Sequence, residues 1–231
     1  MAATYGLLGA GLTPPLPPGF PHLPGFEFFS YLTVTDKLWF WKEVSLMGLA
    51  ATSPDEDLIV ILGTHNFIEW AKDAMAIPRA WETLDGYKCN VEGGFADVYG
   101  EISLQNSGMS LRSYVGSLNE KKKPLRIIGH SLGSAVGGLV AGDSFKPNFT
   151  LFAMPLFGNL GLTDWIFKKA AASSICPRNV RDIVPIAPPF PLYQSLLTEA
   201  WFNSDLLGIG GTDEDRHNMA GCYLKACTPL P

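Results

Sequence analysis

The chain has no run of about eighteen uninterrupted apolar residues, the length a membrane-spanning helix needs, so no transmembrane segment is expected. Cysteine is scarce. Cys89, Cys176, Cys222 and Cys227 stand at spacings that suit no metal site, and four thiols in 231 residues do not define a disulfide framework. Histidine is equally scarce, at four residues, so any chemistry that needs an imidazole has few candidates. Basic residues are outnumbered, 17 Lys and Arg against 22 Asp and Glu, and the net charge of −5 speaks against a nucleic-acid partner. The one basic run, Lys121 to Lys123, reads as a solvated turn. The first twelve residues are apolar yet show neither the basic start nor the small-residue cleavage site of a signal peptide. The expected setting is cytoplasmic, or secreted after processing.

Apolar residues make up 47% of the chain, enough for one well-buried core, and residues 1–231 read as a single domain. Thr13 to Gly25 is crowded with prolines, which remove backbone donors and fix φ; it reads as a polyproline arm over about residues 1–26. Ser45 to Thr52 and Asp57 to Gly63 are apolar segments joined by a short turn, as in a hairpin. Leu58 to Leu62 is continuously apolar, the mark of a strand buried on both faces. Helices are expected at Asn66 to Ala76, Gly93 to Ser103, Ser107 to Ser117, Leu162 to Ala172 and Arg216 to Ala226. Strands alternating with helices predict an α/β fold with a mostly parallel central sheet flanked by helices.

The most informative stretch is Ile127-Ile128-Gly129-His130-Ser131-Leu132-Gly133. A short strand runs into a tight turn at Gly129 to Gly133, a small-residue helix follows from Leu132 to Gly142, and another strand is expected at Phe149 to Met154. That order describes a nucleophile elbow, which lifts the Ser131 hydroxyl clear of the sheet. A serine hydroxyl needs a base, and the base needs a third group to hold its tautomer. His130 adjoins Ser131 with its side chain aimed away and reads as support; His22 lies in the proline-rich arm; His65 borders the end of a strand. His217 alone follows the serine, as the chain order serine, acid, histidine demands. Asp182, at the end of Asn179 to Pro185, is the candidate acid, Asp164 serves its own helix, and Asp213, Glu214 and Asp215 read as helix-capping residues. Oxyanion donors are expected at the amides of Leu132 and Thr64.

These motifs resemble the class 3 lipases, the fungal-type lipase family of α/β-hydrolases, over most of residues 45–227. The resemblance rests on Leu62-Gly63-Thr64, on Ile68 to Asp73 with its tryptophan and aspartate, on Val91 to Phe95, and on Gly129 to Gly133. Pro155 to Asn159, Asp182 to Pro185 and His217 to Tyr223 complete it. Leu62 stands where the family carries arginine, and Glu92 where it carries histidine. The resemblance implies an α/β-hydrolase fold and catalytic residues Ser131, Asp182 and His217. It also implies an oxyanion hole at Thr64 and Leu132, ester hydrolysis without metal or organic cofactor, and a lid in the helix after Thr64. Apolar substrate contacts are expected at Phe67, Trp70, Trp201 and Leu206, with His65 beside them, around an ester or lipid substrate met at a lipid–water interface. The expected activity is a serine carboxylester hydrolase acting on acylglycerols or other fatty-acyl esters. A feruloyl or aryl esterase and an inactive hydrolase-like binding protein are the alternatives.

Overall fold

A computed structural model of the chain describes residues 24–34, 45–64, 77–188, 193–196 and 198–227. The proline-rich arm up to residue 23 and the helix expected at Asn66 to Ala76 lie outside these.

The strands are β1 (Glu27–Val34), β2 (Ser45–Thr52), β3 (Asp57–Ile61), β4 (Pro78–Glu82) and β5 (Lys88–Glu92), followed by helix α1 (Gly93–Glu101) and strand β6 (Ile102–Leu104). Next come α2 (Leu111–Glu120), β7 (Leu125–His130), α3 (Leu132–Asp143), β8 (Pro147–Phe152), α4 (Leu160–Lys169), β9 (Cys176–Asn179), β10 (Glu199–Phe202) and α5 (Asp213–His217). The central sheet has the order β6-β1-β2-β3-β7-β8. It is mixed: β3, β7 and β8 are parallel, and β2 and β6 run against β1 and β3. The parallel part continues beyond β8, because Leu151 N–H donates to Ile175 O and Ala153 N–H to Pro177 O, and β9 pairs in parallel with β10. The turn at Gly129 to Gly133 sits in that parallel half.

Strand β3 is apolar from Leu58 to Ile61 because each face meets a different cluster. Ile59 and Ile61 join the main core with Phe95, Tyr99, Ile127 and Leu151, whereas Leu58 packs with Tyr31, Leu49 and Ala51. Helix α3 is buried along its whole length. It can lie this close to the sheet because its inward positions are small; the main-chain oxygen of Ile61 would stand only 2.3 Å from a Cβ at Gly133. Among the described residues no helix is long and apolar enough to cross a membrane. Cys89, Cys176 and Cys222 are buried free thiols, and Cys227 is an exposed one.

Two expected helices end differently. The segment from Gly93 remains helical only to Glu101; Ile102–Leu104 then pairs with β1, placing Ile102 and Leu104 in the core. The C-terminal helix expected from Arg216 to Ala226 is three pieces: α5, a π turn at Met219–Tyr223, and helix α6 (Leu224–Cys227). The break lies at Asn218, whose side chain accepts from Gly221 N–H at 2.6 Å and so caps a new turn. Thr212 and Asp215 close a capping box at the start of α5.

Candidate active site

Strand β7 runs directly into Ser131, which sits at φ 59° and ψ −127°, a conformation costing about 1–3 kcal/mol for a side-chain-bearing residue. Neighbouring strands hold it there. Ser131 N–H donates to Phe152 O at 3.0 Å, and Ser134 Oγ donates to the same oxygen at 2.7 Å. Only glycine fits at Gly129, where a Cβ would lie 2.6 Å from Gly133 O. Ser131 starts α3, yet its hydroxyl caps no amide of that helix. A serine at a helix start ordinarily spends its oxygen on the N2 or N3 amide. Here the hydroxyl is left for another partner.

That partner is His217. Its Nε2 lies 2.8 Å from Ser131 Oγ, and its Nδ1 lies 2.8 Å from Asp182 Oδ2. An ionised carboxylate only accepts, so Nδ1 carries the hydrogen and Nε2 presents a lone pair to the serine hydroxyl. Ser131 is fully buried, and Asp182 and His217 nearly so. A buried carboxylate needs donors to offset its desolvation. Asp182 has two besides the imidazole: Val184 N–H to Oδ1 at 2.9 Å and the Tyr223 hydroxyl to Oδ2 at 2.8 Å. Tyr223 in turn accepts Asn179 N–H at 3.2 Å, tying β9 to the π turn. Arg181 is not the aspartate's neighbour in charge; it pairs with Asp205 at 2.7 Å.

His130 supports the site from behind. Its Nε2 donates to the main-chain oxygen of His217 at 2.8 Å, and the two rings lie 4.7 Å apart at the centroids. Burial first, and the adjacent His217 second, pull the His130 imidazole down to about 4 from its ordinary 6.5. The unfolded chain therefore binds more protons than the folded one between those values. The stability gained by holding His130 neutral is complete above pH 6.5 and is lost as pH falls towards 4. The thermal midpoint is expected to fall across this window, and to fall less steeply in His130→Gln; equal slopes by calorimetry would refute the assignment.

Gly63 backs directly onto the serine. A Cβ at Gly63 would lie 2.9 Å from Ser131 Cβ and 2.9 Å from His130 O. Thr64 follows immediately, half-buried at the mouth of β3. Leu132 is the first residue of α3, one of the positions whose amide has no partner within a helix. Gly63, Thr64, His130, Glu214, His217 and Asn218 line a cavity of about 490 Å³, which Ser131 itself does not line.

His65, Phe67 and Trp70 lie outside the described residues. Trp201, on β10, is half-exposed, its Nε1–H donating to Glu199 at 2.9 Å, and Leu206 is 84% exposed on the turn after it. Neither lines the cavity. Glu92 is buried and caps α1, accepting Phe95 N–H at 2.8 Å. Sequence reasoning assigned no role to Tyr223 or Asn179. The only signal was the six-residue interval between His217 and Tyr223.

The family model described as "Lipase (class 3)" matches residues 58–192. Among solved structures, the Rhizomucor miehei lipase in complex with its propeptide is similar at 20% identity and a TM-score of 0.58, covering 79% of this chain and 57% of that one. The Lip2 lipase of Yarrowia lipolytica is similar at 19% identity and a TM-score of 0.54, covering 77% and 67%. A triacylglycerol lipase with a serine protease triad at its catalytic centre is similar at 21% identity and a TM-score of 0.56, covering 77% and 66%. The chain thus spans little more than half of the first of these and about two thirds of the others. At these identities the likeness is one of fold, that of the α/β-hydrolases. No curated protein matches the chain.

Proposed function

The chain belongs to the class 3 lipases, and on that premise we propose that it hydrolyses carboxylic esters, with acylglycerols or other fatty-acyl esters as substrates. The observation that supports this most is the unbroken line from Ser131 through His217 to Asp182, with both hydrogen bonds at 2.8 Å. In this reading Ser131 Oγ attacks the ester carbonyl as His217 Nε2 takes its proton. The carbonyl oxygen becomes an anion facing the Thr64 and Leu132 amides. Collapse of the tetrahedral adduct breaks the ester C–O bond, Nε2–H returns the proton to the departing alkoxide, and the acyl group stays on Ser131. Water then attacks the acyl-enzyme, giving its proton to His217, and the second collapse frees the acid and restores the hydroxyl. Asp182 keeps the imidazole in the required tautomer and stabilises the imidazolium formed in each half. No cofactor enters this scheme. The substrate is met in solution or at a lipid–water interface.

A fluorophosphonate tests the reading. It is expected to label the protein once, with loss of ester hydrolysis in proportion to labelling, and peptide mapping is expected to find the adduct on Ser131. An adduct on another residue would remove the proposed nucleophile.

A further inference from the structure

Arg178, on β9, is 1% exposed, a burial rare for a guanidinium and costly to its charge. Its partners are few. Nε lies 3.2 Å from Glu199 Oε1 as an ion pair, without the alignment of a hydrogen bond, and Nη2 has no acceptor among the described residues. The one aligned donor is Nη1, which reaches the main-chain oxygen of Pro185 at 2.7 Å. Replacing a buried ion pair by apolar groups of similar volume is often neutral or stabilising, so general stability is a weak reason for this guanidinium. Its target is a better one.

Pro185 closes the turn that carries Asp182. Val184, joined directly to Pro185, donates its N–H to Asp182 Oδ1 at 2.9 Å and begins a short 3-10 turn, Val184–Ile186. At the other end, Asp182 N–H donates to Asn179 O and Arg181 N–H to Asn179 Oδ1, both at 3.1 Å. Asn179 and Arg178 are neighbours on β9, so their side chains leave the strand on opposite faces. Asn179 therefore holds the entry of the turn and Arg178 its exit. Held in this way, the carboxylate meets His217 Nδ1 at 2.8 Å. Glu199 neutralises the guanidinium, and is itself fixed by Trp201 Nε1–H at 2.9 Å and by the Ser195 hydroxyl.

We propose that Arg178 is a positioning residue of the triad: by holding Pro185 O it fixes the turn that aims Asp182 at the imidazole. The inference rests on the hydrolase reading above and adds to it the group that sets the direction of the acid. Arg178 acts only through Asp182 and takes no part in bond cleavage. A planar guanidinium fixes the direction of its N–H bonds, whereas a Lys ammonium is a rotatable point charge on a flexible stem. Arg178→Lys thus keeps the charge and loses the aim.

The test is a double-mutant cycle on p-nitrophenyl butyrate. Arg178→Lys is expected to lower kcat about tenfold, with KM changed by about threefold or less. Arg178→Met, made together with Glu199→Gln so that no carboxylate loses its partner, is expected to lower kcat about 100-fold with the same small change in KM. In an Asp182→Asn background the same replacements are expected to change kcat by less than about twofold, because the group they aim is already disabled. A loss as large in that background as in the parent would overturn the inference, since it would place the effect on the scaffold and not on the acid. Parental kcat in either folded variant would overturn it too. Should the Met and Gln pair not fold, Arg178→Lys in the two backgrounds decides by the same comparison. Hydrolysis by Ser131→Ala at the parental rate would instead overturn the underlying hydrolase reading.

Discussion

Ser131→Ala is expected to lower kcat on p-nitrophenyl butyrate by about 10⁵ to 10⁶-fold while leaving the fold intact. The substitution removes one oxygen and adds nothing. That oxygen caps no helix, and its one hydrogen-bond partner among the described residues is His217 Nε2 at 2.8 Å, so its loss withdraws little from the scaffold. The strained backbone at φ 59° is inherited unchanged, because alanine meets the same steric cost there as serine. Residual hydrolysis should remain above the uncatalysed rate, since amides aimed at the oxyanion still act on an attacking water. Steady-state kinetics with a matched circular dichroism melt reads both halves. Parental turnover in a folded variant would exclude Ser131 as the nucleophile.

Asp182→Asn is expected to cost about 10⁴-fold in kcat with a much smaller change in KM. The amide has nearly the carboxylate's shape, but one of its two polar ends is a donor. Turned towards His217, that NH₂ would force Nδ1 to accept, put the hydrogen on Nε2, and leave Ser131 facing a donor in place of a base. Turned the other way, the NH₂ opposes Val184 N–H, which now donates to Oδ1 at 2.9 Å. Either orientation leaves one buried group mispaired. The Tyr223 hydroxyl at 2.8 Å adds to the mismatch, because it too points a hydrogen at this side chain. A rate within tenfold of the parent would mean that the carboxylate is not what orients the imidazole.

Much of this geometry was legible locally. Gly129 and Gly133 flank Ser131 because main chains cross there, and such a requirement is written into residue type regardless of the rest of the fold. The hairpin of β2 and β3 was legible for a similar reason, since its turn residues sit between two apolar segments. Strand β1 was not. Its register slips between Phe28 and Ser30 and again between Leu32 and Thr33, so the two-residue alternation that betrays a strand is broken twice in eight residues. The helix expected through Ser103 failed at its end because Ile102 gains a place in the core by pairing with Val34, a contact remote in sequence. Chain order drew attention to His217, and the apolar approach stopped by Pro185 drew it to Asp182. The tyrosine that completes the aspartate's shell stayed hidden, because its reach depends on the π turn that Asn218 starts, and no periodicity in the sequence marks such a turn.

The clasp in which Gly133 meets Ile61, and Gly63 meets Ser131, has a further consequence for how this protein can change over generations. The proposed nucleophile and the neighbouring loop are spaced by peptide groups, so their separation depends little on the side chains around them. Variation in the surrounding side chains is then free to retune what the proposed site accepts, while the spacing of Ser131 from the loop at Gly63 stays as the main chain sets it. Lineages sharing this clasp should differ in diet far more than in chemistry.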